Sequence, residues 1–111
     1  MQAEKLNIKS WAEEDRPREK LLLKGKNALS DAELIAILIG SGNKNETAVE
    51  LAKRILSSVN NDLNQLAKLS LTDLMQFKGI GEAKAISIAS ALELGRRRKE
   101  SITEKSSKIT S

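Results

Sequence analysis

The sequence predicts an all-α fold: a small domain of two helix-hairpin-helix elements, the first degenerate, joined by a connector helix. Three observations point there. Apolar residues make up 40% of the 111 positions and aromatics only 2%, so the core must be Leu, Ile and Ala. Helix-start signatures recur at Ser30-Asp31-Ala32-Glu33 and Ser70-Leu71-Thr72-Asp73, each with a cap hydroxyl and a carboxylate three residues on. Two glycine turns, Gly40-Ser41-Gly42 and Gly79-Ile80-Gly81, each stand between apolar helical runs. The length suits one domain. Its expected bounds are residues 16–98, after an extension at 1–15 and before a flexible linker at 99–111.

In chain order, Ile8 and Trp11 are the first residues with something to bury, and Trp11 is expected to cover the core. Glu13-Glu14-Asp15 is not a convincing metal site: consecutive carboxylates do not share a helical face, and negative charge is favourable just before a helix. Pro17 suits a first helical turn, and Gly25 a stop. Leu21, Leu22 and Leu23 cannot all be buried by one amphipathic helix, which leaves at least one for a partner. The run opened by Ser30 carries Leu34, Ile35, Ile37, Leu38 and Ile39, apolar all round, and is expected to be the most buried helix.

A further helix is expected from Asn45 or Glu46, burying Val49, Leu51, Ala52, Ile55 and Leu56. This pair has the outline of a hairpin with Asn43-Lys44-Asn45 inserted after the second glycine; an ordinary glycine-containing turn is the alternative. Gly40-Ser41-Gly42-Asn43-Lys44 is no nucleotide loop, because it lacks the P-loop spacing and follows a helix. Asp62 caps a short connector through Ala67.

The stretch from Ser70 to Arg98 carries the chemistry. Leu74 and Phe77 are expected to face inward and Ile80 to plug the turn, while Ala85, Ile88, Ala89 and Leu92 form one buried stripe of the long helix. Glycine permits positive φ and lets backbone approach a ligand without a Cβ in the way. The amides of Gly81, Glu82 and Ala83 are expected to point outward, unpaired, at a helix N-terminus where an anion such as phosphate fits. Lys84 lies off the buried stripe, placed to meet that phosphate, and Lys78 could meet a neighbouring one. Glu82 opposes binding, since its carboxylate repels an anion at the same place. The candidate DNA-binding residues are therefore Lys78, Gly79, Ile80, Gly81, Ala83 and Lys84, joined by Arg96, Arg97, Arg98 and Lys99.

The net charge is +4, and its location matters more than its size: residues 1–77 carry 11 basic and 11 acidic side chains, residues 78–111 carry 8 and 4. A neutral body with a basic end suits a polyanion-binding module. The cluster from Arg96 to Lys99 is equally readable as a solvated helix end.

Cysteine and histidine are both absent, which removes disulfides, the usual zinc ligands and the common nucleophile–base pairs. No cofactor, no metal and no catalysis are expected; Glu100 and Glu104 fall in the expected linker with no pocket to shift their pKa. One Trp, one Phe and no Tyr leave little for stacking bases, so backbone recognition is the mode left open. With no apolar run near the ~18 residues of a membrane span and no signal peptide, a cytoplasmic protein is expected.

Arg16-Pro17-Arg18-Glu19-Lys20-Leu21-Leu22, the run Ala28 to Leu38, and the Gly79-Ile80-Gly81 turn with Lys84-Ala85 together resemble the N-terminal region of the RadC family, UPF0758. The resemblance covers nearly the whole chain. It implies a DNA-repair protein in which a helix-hairpin-helix domain precedes a JAB/MPN-type domain with a histidine-rich metal motif. This histidine-free chain would be the binding half only, with the second domain beginning near Ile109-Thr110-Ser111. The expected function is a non-catalytic, largely sequence-independent module that holds double-stranded or branched DNA by its phosphates. The alternative is a protein-interaction or dimerisation module that docks the C-terminal domain or a partner.

Overall fold

The computed structural model describes residues 16–110, with side chains through Ile102. α1 occupies residues 16–24. After a single 3-10 turn at Lys26–Ala28 come α2 (Asp31–Ile39), α3 (Ala48–Ser58), α4 (Leu63–Ala67), α5 (Leu71–Met75) and α6 (Glu82–Thr110). There is no strand among the described residues, and the all-α expectation is borne out. The extension at 1–15, with Ile8, Trp11 and Glu13-Glu14-Asp15, lies outside the described residues.

Side chains start four of these helices. Ser30 Oγ accepts from the Glu33 amide at 3.2 Å while Glu33 Oε1 accepts from the Ser30 amide at 2.9 Å, a complete capping box on α2. Ser70 and Asp73 repeat it on α5 at 3.0 Å in both directions. Asp62 Oδ1 accepts from the Asn64 amide at 2.8 Å, making α4 the capped connector expected. The cap of α3 is Thr47, later than the sequence suggested, because Asn43 organises the preceding residues into a turn of its own. Each such cap is worth about 1 kcal/mol, which matters for helices of only five residues such as α4 and α5.

α2 and α3 pack against each other, and α6 packs against α2 and α5, its buried Ala85 and Ile88 lying in its first half. The core consists of Ala32, Ile35, Ala36 and Ile39 from α2, Ala48, Leu51, Ala52, Ile55 and Leu56 from α3, with Leu66, Leu74, Ile80, Ala85 and Ile88. Each large aliphatic side chain buried there contributes about 1.5–3 kcal/mol. α3 supplies the most deeply enclosed side chains, Leu51, Ala52 and Ile55, while α2 buries Ala32, Ile35, Ala36 and Ile39 and leaves Leu34 and Leu38 exposed. A helix that is apolar all round can turn only one face to a two-layer core, so its far side stays wet.

On α6 the buried stripe holds at Ala85 and Ile88 and loosens to half-buried at Ala89 and Leu92. Residues 99–110, expected to be linker, continue α6 as helix. No glycine or proline follows Gly95 to stop it, and Arg96 ties forward to Glu100 at 2.9 Å, an i,i+4 pair. Polar composition suits a fully solvated helix as well as a linker. On α1, Leu21 is half-buried while Leu22 and Leu23 are 86% and 83% exposed, so the triplet is split as expected.

Candidate nucleic-acid interface

The two glycine loops lie against each other. Between α2 and α3, Asn43 Oδ1 accepts from the amides of Asn45 and Glu46 at 2.8 and 3.0 Å, folding the loop back on itself. Gly42 is a close-approach glycine: a Cβ there would stand 2.0 Å from the Glu46 carbonyl oxygen. Across the gap, Asn43 Nδ2 donates to the Lys78 carbonyl at 3.2 Å, and Arg54 Nη2 donates to the same oxygen at 3.1 Å. Lys84 Nζ donates back to the Ser41 carbonyl at 2.8 Å and to Ser41 Oγ at 3.1 Å. The loops thus hold each other at two points.

In the α5–α6 turn the two glycines have different jobs. Gly79 has φ +98°, and a Cβ there would come within 3.2 Å of Asn43 and Leu51, so this glycine is required by the fold. Gly81 has no positive φ, and a Cβ on it would meet nothing within 4 Å. Ile80 between them is buried at 4% exposure, the plug foreseen from the sequence. The Ile80 amide closes the turn onto the Phe77 carbonyl at 3.0 Å.

Gly81 sits where the caps of the other helices sit: its carbonyl accepts from the Ala85 amide at 3.0 Å, as that of Ser30 accepts from Leu34 and that of Thr47 from Leu51. It has no side chain to offer the first turn of α6. Among the described residues no hydrogen bond ends on the amides of Gly81, Glu82 or Ala83, and all three residues are exposed. A 29-residue helix therefore begins with bare donors at its positive end. Glu82 is in that first turn.

The cations are distributed unequally. Lys78 is exposed beside the turn, and its charge is felt by Glu46. Lys84, expected to reach forward to a phosphate, is half-buried and spent on Ser41. Arg54 is committed to Glu46, Nε to Oε2 and Nη2 to Oε1, both at 2.9 Å. That pairing, followed by the Asn43 amide, holds the Glu46 carboxyl below its usual range, and Glu46 in turn raises Arg54.

Further along α6, Arg96 bonds Glu93 and Glu100, and Arg97 bonds Glu93. Hydrogen bonds from Arg96 and then Arg97 bring the Glu93 carboxyl down to about 2. Arg98 makes no ion pair among the described residues. The structure thus brings Lys78, Gly79, Ile80, Gly81, Ala83 and Lys84 together at one turn, while Arg96, Arg97, Arg98 and Lys99 lie about four helical turns away along α6. Sequence reasoning missed Asn43, Glu46 and Arg54; the insertion after Gly42 was their only signal.

Among the described residues no group of three or more His, Cys, Asp or Glu could hold a metal ion, and no helix is long and apolar enough to cross a membrane.

Fold and loops together define a class: a small all-helical module in which two glycine-loop helix pairs brace one another and leave the N-terminus of α6 bare. The chain belongs to the UPF0758 family; residues 8–86 match the family model described as UPF0758 N-terminal. It is 61% identical over 111 residues to a UPF0758 protein of Flavobacterium johnsoniae, an alignment covering 100% of this chain and 48% of that protein. A UPF0758 protein of Porphyromonas gingivalis is 48% identical over 107 residues, covering 89% and 47%. One of Methanosarcina mazei is 40% identical over 111 residues, covering 100% and 48%. The chain spans about half the length of these relatives. No solved structure matches.

Proposed function

We propose that this chain is a non-catalytic, largely sequence-independent DNA-binding module whose α5–α6 turn acts as a helix-hairpin-helix. The α2–α3 pair is its degenerate counterpart. One observation carries the reading: the amides of Gly81, Glu82 and Ala83 stand exposed and unpaired at the start of α6, under a glycine whose Cβ position is open. A phosphate oxygen supplies the acceptors that Ser30, Thr47, Asp62 and Ser70 supply elsewhere. Lys78 adds charge at the turn and Arg98 farther along α6. In this reading the module serves DNA repair in the cytoplasm, and the likeness to the RadC family supports the repair role.

The test is fluorescence anisotropy with a short duplex of arbitrary sequence across a salt series. Neutralising about two phosphates, at Lys78 and Arg98, gives a slope of log K against log salt of roughly −2, and Gly81→Ala abolishes binding by placing a methyl group over the amides. A slope near zero, or unchanged binding by Gly81→Ala, overturns the proposal.

A second reading, a protein-interaction or dimerisation module that docks the other half of the relatives or another partner, is favoured by one feature. Leu22 and Leu23 stand adjacent and more than 80% exposed. Sedimentation at low and high salt separates the two readings, because an apolar association persists in salt whereas DNA binding weakens.

A further inference from the structure

Lys78 belongs to the α5–α6 turn, yet its carbonyl is gripped from the other helix pair, by Asn43 Nδ2 and Arg54 Nη2 at 3.2 and 3.1 Å. Both donors are themselves fixed. Arg54 is locked in a two-point pair with Glu46, with its Cζ 5.9 Å from the centre of the Phe77 ring. Asn43 Nδ2 also donates to Glu46 Oε1 at 2.8 Å, and its Oδ1 takes two backbone amides. Gly79 then seats close against Asn43 and Leu51, which a Cβ there would meet at 3.2 Å. In a trans peptide the N–H points opposite to the C=O. Gripping the Lys78 carbonyl therefore turns the Gly79 N–H away from Asn43 and Arg54, and fixes the plane from which the chain enters Ile80 and Gly81.

We infer that Arg54 and Asn43 are positioning residues for the bare amides of α6, so that the α2–α3 loop is the mould of the α5–α6 turn and not a second phosphate site. This rests on the DNA-binding reading. Arg54 is a cation within reach of the turn that charge alone would enrol as a phosphate contact. Its guanidinium is instead satisfied by Glu46 and the Lys78 carbonyl, so it acts through that carbonyl. A lysine keeps the charge at position 54 but cannot make the planar, two-point pair and the carbonyl bond together.

Salt dependence separates the two roles. Loss of a phosphate contact flattens the log–log slope by about 0.9 per contact. Loss of a positioning residue weakens binding at every salt concentration and leaves the slope unchanged. Arg54→Lys and Arg54→Gln are expected to weaken duplex binding about tenfold, as when a pre-organised site must be ordered on binding, with the wild-type slope. Lys78→Gln flattens the slope. A flattened slope in Arg54→Gln, or affinity unchanged in both Arg54 variants, overturns the inference.

A second readout needs no DNA. In the free protein, Arg54→Gln is expected to shift the amide resonances of Gly79 to Ala83 and speed hydrogen exchange at Ile80, whose amide bonds the Phe77 carbonyl, while the resonances of Ile35 and Ile88 stay in place. Unmoved turn amides overturn the positioning role even where DNA binds. If the wild type binds no DNA, the functional reading falls, and the free-protein measurement still decides whether Arg54 sets the turn.

Discussion

Gly79 and Gly81 are two residues apart in one turn, and substitution by alanine separates what the fold needs from what a ligand needs. At Gly79 the backbone holds φ +98°, and an added Cβ would lie 3.2 Å from Asn43 Cβ, Asn43 Nδ2 and Leu51 Cδ2. Positive φ costs an L-residue roughly 1–2 kcal/mol. Crowding against a half-buried amide and a buried leucine adds about 1 kcal/mol, so Gly79→Ala is expected to lose about 2–3 kcal/mol. In a domain of this size that lowers the melting temperature by about 10–20 °C. At Gly81 neither penalty applies, and exchanging a glycine cap for alanine costs at most about 1 kcal/mol. Thermal unfolding followed by circular dichroism at the helix band reads both variants directly. If the two melt together, or Gly81→Ala is the weaker protein, the assignment of structural and ligand-facing glycines is wrong.

Three further outcomes follow from the same geometry. Glu82→Gln removes a carboxylate from the first turn of α6, and anisotropy should show duplex binding tightened about two- to fivefold, the range of a helix-terminus charge interaction; weaker binding would mean that no anion sits there. Glu33 is held below its usual pKa by the Ser30 amide first and by Lys20 second, and Glu46 by Arg54 and then Asn43. A lowered folded-state pKa gives stability that is present above the unfolded value of 4.5 and is lost as pH falls through the folded one. Acid melts of Glu33→Gln and Glu46→Gln should therefore show a shallower loss of stability below about pH 4.5 than the wild type. Leu22→Ser with Leu23→Ser should leave the unfolding free energy within about 0.5 kcal/mol of the parent, because both side chains are in water, and calorimetry showing a larger loss would place them in a packed interface.

Much of this architecture was legible because it is written in local chemistry. Ser30 with Glu33, Asp62, and Ser70 with Asp73 announce helix starts whatever surrounds them, and all three formed as read. Ile80 as the plug and Ala85 with Ile88 as buried contacts follow from periodicity on either side of a tight turn. What escaped was decided across the chain. Asn60 and Asn61 both adopt positive φ to end α3, a role that asparagine tolerates but does not advertise. The place of Lys84 on the helix points to a ligand, and only the arrival of the first loop shows that Ser41 takes its ammonium group. Arg54 and Glu46 are eight residues apart, with no pattern to mark them as the brace of a turn 24 residues further on. The continuation of α6 past Lys99 was missed for another reason: polar composition says that a segment is solvated, not that it is unfolded.

The most direct test of the central claim is an amide chemical-shift titration of the 15N-labelled chain with a short duplex, at low and moderate salt, alongside Gly81→Ala. Phosphate capture by the α5–α6 turn predicts salt-sensitive shifts centred on Gly79 to Lys84, lost in the variant while its other resonances keep their positions. Shifts confined to residues 96–102, or none at all, would contradict it.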